Sequence, residues 1–442
     1  MRAIAPLPDV DTQDGLHRAS VPKRPLPLKS IESHRLPDMT HHARAQSGVR
    51  WIVPVLLLWS LAVPAAHPEV QPASQATALL VSATNAPLRV LGSDGMEHLE
   101  YDLLITNVFT APLTLTSIEV TGPNGQVLLR LAGDALAGKL EPVFYPVPNA
   151  KPISSIPVGG MVGAVIDVVV PPREAPRRIG HRITYELPSD TPALSLIASR
   201  AIAGPELTVD RRSSLVIAPP LRGNAWLSGN GCCEARSVHR SPRIVVDGAR
   251  FVKPETFAID WLRLVDGRLW AGDGTRNEQY FAFGAEVVSV AHGTVVSVRN
   301  DMPEEMPGQT PVAVKGPGDY LGNHVVVQIG RRVWAVYAHM QPGSIPVQAG
   351  ERVTTGQRLG LLGNSGNSTQ AHLHFQLSDG PDYLRSTSLP FVFDRYTLVG
   401  TAEVESSETV PGSPASPTLR VIGTPRTEAG TYPLVLTVQD FR

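Results

Sequence analysis

The 442-residue sequence has almost no net charge and contains no long run of basic or acidic residues. Its 39 lysines and arginines are offset by 40 aspartates and glutamates, which gives a formal charge of −1 at neutral pH. A nucleic-acid-binding protein usually carries a basic patch, because it must neutralise phosphates. The charge balance therefore predicts no nucleic-acid partner.

Cysteine is nearly absent, and the two that occur, Cys232 and Cys233, are neighbours. Adjacent cysteines can close only a small ring, so a framework of long-range disulfides is excluded. Two interpretations stay open: a vicinal disulfide, which an oxidising compartment would allow, or a pair of buried thiols.

Clear amphipathic helical repeats are also scarce, whereas 38 glycines and 41 prolines punctuate the chain. Short alternating or apolar runs between turn residues are typical of strands. The sequence therefore predicts an all-β fold class, and its length is enough for two or three domains.

A single long apolar run, residues 51–66, lies near the N-terminus, with Arg44 and Arg50 before it and Ala65 and Ala66 at its end. The run is too short to span a bilayer comfortably and is typical of a secretory signal peptide. We therefore interpret residues 1–66 as leader and signal peptide, with Met39 as an alternative start, and expect a secreted, periplasmic or cell-envelope protein. If the run is not cleaved, it would instead anchor the protein to a membrane.

Four further regions follow from the spacing of strand-like runs and turns. Several short strands favour a β-sandwich of immunoglobulin-like size over residues 67–190. Residues 191–243 are predicted to be a connector, residues 244–378 a second, antiparallel β domain, and residues 379–442 a C-terminal extension.

Three histidines occur in two of the strand-like runs of the second β domain. His372 and His374 are two residues apart, so on a strand their side chains point to the same face. His339 comes from an earlier run. Imidazoles that meet on one face can bind a metal and can also move protons.

Asp260 lies in another strand-like run of the same domain. Its neighbours Phe257, Ile259 and Trp261 alternate against it and are expected to fill the core. The carboxylate therefore points to the opposite face, where the three histidines could meet it.

Five motifs in this region occur in a fixed order: NHVVV at 323–327, VYAH at 336–339, VQAGERVTTGQ at 347–357, LGNSGNS at 362–368 and AHLHF at 371–375. Together they resemble the M23 (lysostaphin-like) zinc metallopeptidases of bacterial cell walls, over roughly residues 245–377. The resemblance implies the duplicated hybrid motif fold of that family, built from antiparallel strands. The hairpin at 347–357 alone is weaker evidence for the family, because lipoyl and biotinyl carrier domains have similar turns. Those carriers need a modified lysine at the tip of the hairpin, and Thr354 and Thr355 do not provide one.

The resemblance also implies roles for the polar residues. The family holds zinc with the histidine and aspartate of an HxGxD-type motif and with the second histidine of HxH. Asp260 and His374 match two of these metal ligands. His339 and His372 match the two histidines that orient or deprotonate the attacking water and stabilise the oxyanion, and are the expected catalytic residues.

One ligand position departs from the family pattern. Thr256 stands where the histidine ligand should be, and Ala258 stands where the glycine should be. A catalytic zinc normally has three protein ligands, and a threonine hydroxyl is a poor substitute. Glu255 or His239 could supply the missing ligand. Residue 256 could itself reach the metal only if the chain bends there, because a straight strand would separate positions 256 and 260 by roughly 13 Å.

Two functions follow from the resemblance. The first is a secreted zinc endopeptidase that acts on peptidoglycan peptides. The second is a non-catalytic M23-like module that binds cell wall or a partner protein. The missing ligand favours the second, and the retention of Asp260, His339, His372 and His374 favours the first. A third possibility, an adhesion role for the N-terminal sandwich, has no residue-level support.

If the site lacks one ligand, the substitution Thr256→His should raise zinc affinity, because it restores an imidazole at the family position. Competition with a chromophoric chelator measures the change. An unchanged affinity would mean that residue 256 does not face the metal or that another side chain already completes the ligand set.

Overall fold

The computed structural model describes residues 76–143, 153, 155–197, 199–233, 237–408 and 416–442. The expected leader and signal peptide, residues 1–66, lie outside the described residues. Within the described part, no helix has the length and apolar character needed to cross a membrane. The regular secondary structure is nearly all β, and most of the sheets are antiparallel, so the predicted all-β fold class is confirmed.

The N-terminal strands form two five-stranded antiparallel sheets, which we call the N-terminal sheet pair. The first sheet has the order β1-β3-β7-β6 with β2 also on β3, and the second has the order β10-β8-β4-β5 with β9 also on β8. A short helix, Gly133–Ala137 (α1), follows β5. The strands are Leu79–Ala83 (β1), Leu88–Leu91 (β2), Glu97–Asn107 (β3), Thr114–Thr121 (β4), Val127–Ala132 (β5), Leu140–Pro142 (β6), Met161–Val170 (β7), Arg178–Glu186 (β8), Ala201–Ala203 (β9) and Leu207–Thr208 (β10).

Strand β3 has two buried faces of opposite character. Leu99, Tyr101 and Leu103 belong to the hydrophobic core that both sheets of the pair share. Because side chains alternate along a strand, Glu100 and Asp102 point the other way, and both are nonetheless fully buried. A second part of the chain must therefore cover that face.

The segment predicted to be a connector contains strands of both parts. Strands β9 and β10 pair with β8 of the N-terminal sheet pair. The next strands are Leu215–Ile217 (β11), which pairs in parallel with a later strand, and Gly223–Gly229 (β12), which enters a large sheet. Cys232 and Cys233 follow β12 and form a vicinal disulfide, the first of the two states considered.

The large sheet has twelve strands and the order β20-β17-β18-β19-β22-β15-β12-β28-β25-β26, with β23 also on β22 and β27 also on β25. Beside it, β13 pairs with β14 and β16 with β21. The strands after β12 are Ile244–Val246 (β13), Arg250–Val252 (β14), Ile259–Arg263 (β15), Glu286–Val288 (β16), Gly293–Arg299 (β17), Asn323–Gly330 (β18), Val333–Met340 (β19), Arg352–Val353 (β20), Arg358–Leu361 (β21), Leu373–Ser378 (β22), Ser388–Leu389 (β23), Phe391–Phe393 (β24), Tyr396–Glu408 (β25), Ser416–Ile422 (β26), Arg426–Glu428 (β27) and Thr437–Phe441 (β28).

Three neighbouring strands of the large sheet carry the predicted site. Strand β22 lies between β19 and β15, and His374 is opposite both Ala338 and Asp260 in the register. Strand β15 begins only at Ile259, because residues 255–258 form a turn closed by the Ala258 N–H on the Glu255 carbonyl at 2.8 Å. The chain therefore bends between residues 255 and 258, just before Asp260.

His98 on β3 forms a buried ion pair that makes stability depend on pH. Its Nδ1 lies 3.0 Å from Asp167 Oδ1 and its Nε2 lies 3.2 Å from Asp94 Oδ2. Burial lowers the pKa of His98, but the two carboxylates outweigh burial and raise the pKa to about 10. The stabilisation is therefore complete below the ordinary histidine pKa of about 6.5 and disappears as pH rises through 10.

We expect the free energy of unfolding to fall between pH 6 and pH 10.5 by roughly 2–4 kcal/mol more in the wild type than in His98→Gln, since the variant has no proton to lose. Urea unfolding at each pH measures the difference. Parallel pH curves for the two proteins would show that His98 is not held protonated by its neighbours.

Candidate metal centre

The carboxylate of Asp260 is the centre of the site. Its Oδ1 lies 3.1 Å from His374 Nδ1 and 3.2 Å from His372 Nε2. Its Oδ2 lies 3.3 Å from His239 Nε2 and accepts a hydrogen bond of 2.7 Å from the Asn230 side-chain amide. The structure thus brings Asp260, His372 and His374 together, as the sequence predicts, and adds His239 and Asn230.

His339 joins this cluster from the end of β19. Its ring centre lies 4.8 Å from that of His372 and 5.9 Å from that of His374. Its backbone has a φ of 63°, a left-handed conformation that costs a non-glycine residue about 1–2 kcal/mol. Its N–H donates to the Leu321 carbonyl and its carbonyl accepts from the Gly363 N–H, both at 3.0 Å, so the neighbouring loops hold the conformation.

Of the two candidates for the missing ligand, His239 is the one that lies beside the Asp260 carboxylate. Its Nδ1 lies 3.2 Å from the Ala258 carbonyl, to which the Nδ1–H can donate, and its Nε2 lies 3.3 Å from Asp260 Oδ2. Glu255 accepts a hydrogen bond from the Tyr383 hydroxyl instead. Thr256 is buried and does not line the cavity that the described residues form around the histidines.

The donor set of His239, Asp260 and His374 fits a divalent metal. Each residue offers a ligand atom, and these atoms lie within 4.8 Å of one another. Ligands about 2.0–2.2 Å from a tetrahedral zinc are separated by roughly 3.3–3.6 Å, close to the 3.1 and 3.3 Å from Asp260 to the two imidazoles. Two imidazoles and one carboxylate are also a ligand set that catalytic zinc sites use.

The electrostatics of the cluster favour a cation at the same place. Burial raises the pKa of Asp260, but His239 and His372 outweigh burial and hold the pKa well below its ordinary value. Burial lowers the pKa of His239, but Asp260 outweighs it and raises the pKa to about 9. The ionised carboxylate therefore attracts protons to its neighbours, and a bound divalent ion would displace those protons.

Each imidazole is oriented by an oxygen on its far side. His374 Nε2 lies 3.0 Å from Gln376 Oε1, which leaves Nδ1 directed at Asp260. The Nδ1 atoms of His339 and His372 each lie 2.8 Å from a backbone carbonyl, of Ser365 and of Gln370 respectively. Partners of this kind fix the tautomer and the direction of the free lone pair.

The sequence contains a signal for only one of these orienting groups. Gln376 is two residues after His374, so strand alternation places it on the histidine face. Asn230 and the backbone carbonyls belong to separate loops, and no pattern in the sequence identifies them.

The cluster lies at the base of a cavity of about 280 Å³. Beyond the histidines, the lining is mainly uncharged and polar, with the side chains of Tyr320, Asn367, Ser368, Thr369 and Gln370. Such a surface can form hydrogen bonds to a peptide backbone without requiring a charged side chain on it.

Residues 279–385 match the sequence profile of Peptidase family M23. This segment is similar to the M23 peptidases. The predicted resemblance is thereby confirmed. The matched M23 segment includes His339, His372 and His374, whereas Asp260 and His239 precede it.

Two curated relatives match part of the chain. The chain is 39% identical over 90 residues to the peptidoglycan DD-endopeptidase ShyA of Vibrio cholerae, a match that covers 19% of this chain and 20% of that protein. It is 36% identical over 88 residues to an uncharacterized metalloprotease of Haemophilus influenzae, covering 20% of this chain and 17% of that protein. The chain therefore spans only about a fifth of the length of these relatives.

Solved peptidase structures also match, at low identity. The catalytic domain of lysostaphin from Staphylococcus simulans is 17% identical with a TM-score of 0.20, and the match covers 33% of this chain and 80% of that one. A zinc-containing peptidase from Vibrio cholerae is 13% identical with a TM-score of 0.21, covering 66% of this chain and 80% of that one. Similarity at this level adds nothing to the assignment of site residues.

We expect Gln376→Leu to weaken zinc binding about 10–100-fold, because His374 loses the acceptor that orients it. Gln376→Glu keeps an oxygen facing His374 Nε2 and should retain more of the affinity. Chelator competition measures both variants, with the exposed Gln328→Leu on β18 as a control. Equal affinities for the Leu variant and the wild type would show that Gln376 does not orient a ligand.

Proposed function

We propose that the protein is a zinc metalloendopeptidase of the M23 type that cleaves peptides of bacterial cell-wall peptidoglycan. The observation that carries the proposal is the convergence of three metal-binding groups, His239, Asp260 and His374, beside two further imidazoles. The sequence similarity to a peptidoglycan endopeptidase supports the substrate class.

His239 takes the place of the family's first histidine ligand in this proposal. It approaches Asp260 from a segment before β13, whereas the family ligand precedes the aspartate by four residues. Its support is the Nε2 position, 3.3 Å from Asp260 Oδ2, and the Ala258 carbonyl that binds its Nδ1–H. Three ligands then leave a fourth position for water or substrate.

When bound, zinc would polarise the scissile carbonyl and lower the pKa of a water molecule. His339 and His372 carry the proton steps. Because the Nδ1 of each donates to a backbone carbonyl, the Nε2 of each can accept a proton from the attacking water. The one imidazole that has taken this proton then stabilises the oxyanion and returns the proton to the leaving amine.

The location follows from the substrate. Peptidoglycan lies outside the cytoplasm, and the apolar run at 51–66 is typical of an export signal. We therefore propose a secreted or cell-envelope enzyme. The alternative of a non-catalytic binding module rested on the absent ligand at Thr256, and the position of His239 beside Asp260 supports the enzyme instead.

The test uses purified protein lacking the leader, isolated peptidoglycan and chromatographic detection of released fragments. We expect one zinc per chain in the wild type. His239→Ala should lower both the zinc content and the activity, the latter by at least about 100-fold, because only two ligands remain. Thr256→Ala is the matched control and should change neither.

His339→Ala separates metal binding from proton transfer. We expect this variant to retain its zinc and to lose about 10²–10⁴-fold in rate, the range that general acid–base catalysis supplies. Intact peptidoglycan after incubation with the zinc-loaded wild type would contradict the enzyme proposal, and full zinc content in His239→Ala would contradict the ligand assignment.

A further inference from the structure

A cluster of six ionisable side chains lies between the N-terminal sheet pair and the segment that follows the disulfide. The acids come from strands β3 and β6, and the bases from residues 240–253. The formal charges of three acids and three bases cancel. The members are Glu100, Asp102 and Glu141 on one side and Arg240, Arg243 and Lys253 on the other.

Asp102 is the hub of this cluster. Its Oδ2 lies 2.7 Å from both Arg243 Nε and Lys253 Nζ, and its Oδ1 lies 3.6 Å from Arg240 Nη2. Burial raises the pKa of Asp102, but the three cations outweigh burial and lower the pKa to about 2. The hub is therefore ionised, and two guanidiniums and the Lys253 amine converge on it, although burial lowers the pKa of Lys253 to about 7.

The other contacts of the cluster hold the backbone of residues 240–243 in place. Glu100 pairs with Arg240, and Lys253 Nζ donates to the Arg240 carbonyl. Glu141 lies 3.2 Å from Arg243 Nη1 and accepts a 2.9 Å hydrogen bond from the Ser241 hydroxyl. Residues 240–243 are thus held along their length by the N-terminal sheet pair.

His239 is the residue directly before this anchored stretch. Only two backbone torsions, ψ of His239 and φ of Arg240, separate its Cα from the Cα that carries the paired guanidinium. On its other side, Ser237 Oγ accepts from the His239 N–H at 3.3 Å and donates to the Asn230 carbonyl at 2.5 Å. The position of the imidazole therefore depends on the ion cluster.

Energetics favour a positional role over a purely stabilising one. Burying ion pairs costs desolvation that their attraction only partly offsets, so apolar residues would hold two surfaces together at least as well. What the charges add is a defined geometry, because each guanidinium must meet a particular carboxylate. On β3 the neighbours Leu99, Tyr101 and Leu103 already supply apolar packing on the opposite face.

We propose that the N-terminal sheet pair is a positioning element for the metal centre: through Asp102 and Glu100 it holds residues 240–243 and so places His239 as the third ligand. This inference rests on the proposed function, because it takes His239 to be a zinc ligand. It assigns the N-terminal sheets a role inside the site, and Arg240, Arg243 and Lys253 become positioning residues.

The experiment measures the zinc dissociation constant of the protein by competition with a chromophoric chelator, together with the visible spectrum of the cobalt(II) form. We expect Asp102→Asn to weaken zinc about 10–100-fold, the range seen for groups that orient ligands. The cobalt spectrum should change as well, since it reports the number and arrangement of ligands. The double variant Asp102→Asn/Lys253→Met removes one charge of each sign, so it keeps the cluster balanced and guards against misfolding of the single variant.

Two controls perturb the same strand from its other face. Tyr101→Phe removes the hydrogen bond to His181 Nε2, 2.8 Å long, and Leu103→Ala opens a gap in the shared core. Both disturb the N-terminal sheets without touching residues 240–243, and both should leave zinc affinity within about twofold of the wild type.

The outcomes separate the two proposals. If the wild type binds no zinc, or if His239→Ala binds zinc as tightly as the wild type, the proposed function fails. If His239→Ala weakens zinc but the folded Asp102 variants keep wild-type affinity and cobalt spectrum, the positioning role fails alone. Equal losses in the Asp102 variants and in Leu103→Ala would also overturn it, since general destabilisation would then explain the effect.

Discussion

The site is built around one buried carboxylate that has no lysine or arginine partner among the described residues. Asp260 is held by imidazoles and one amide, so its negative charge is balanced only by protons on histidine or by a cation. A buried charge of this kind is costly unless it is paired. His239, His372 and His374 are all placed to pair with this charge, and the same charge favours a divalent cation in the cavity.

The large sheet supplies most of this geometry through its strand order. Because β22 lies between β19 and β15, residues from three distant segments meet at one end of the sheet. The register sets His374 opposite Asp260, and the turn before β15 brings the Ala258 carbonyl to His239. Thr256 and Ala258 depart from the family pattern, and the imidazole that lies beside Asp260 comes from His239 instead.

The part of the chain that matches family M23 does not contain the whole cluster. Asp260 and His239 both precede the matched residues 279–385, and His239 lies beside the ion cluster that joins it to β3. Arg243 and Glu141, one of the pairs in this cluster, are 102 residues apart in sequence. The N-terminal sheets and the candidate metal centre are therefore joined by buried ion pairs.

The sequence by itself determined the β class, the shared face of His372 and His374, and the face of Asp260, because strand alternation is a local property with a period of two residues. The motif resemblance added His339. Strand alternation also offers a signal for Gln376, two residues after His374, but only the structure showed their contact. Only the tertiary structure showed which histidine joins Asp260 and His374 as the third candidate ligand. Nothing around residue 239 has a period or a motif, and its place is fixed by ion pairs to a distant strand and by a carbonyl in a turn. Such contacts depend on where whole sheets pack, which the local order of residues does not encode.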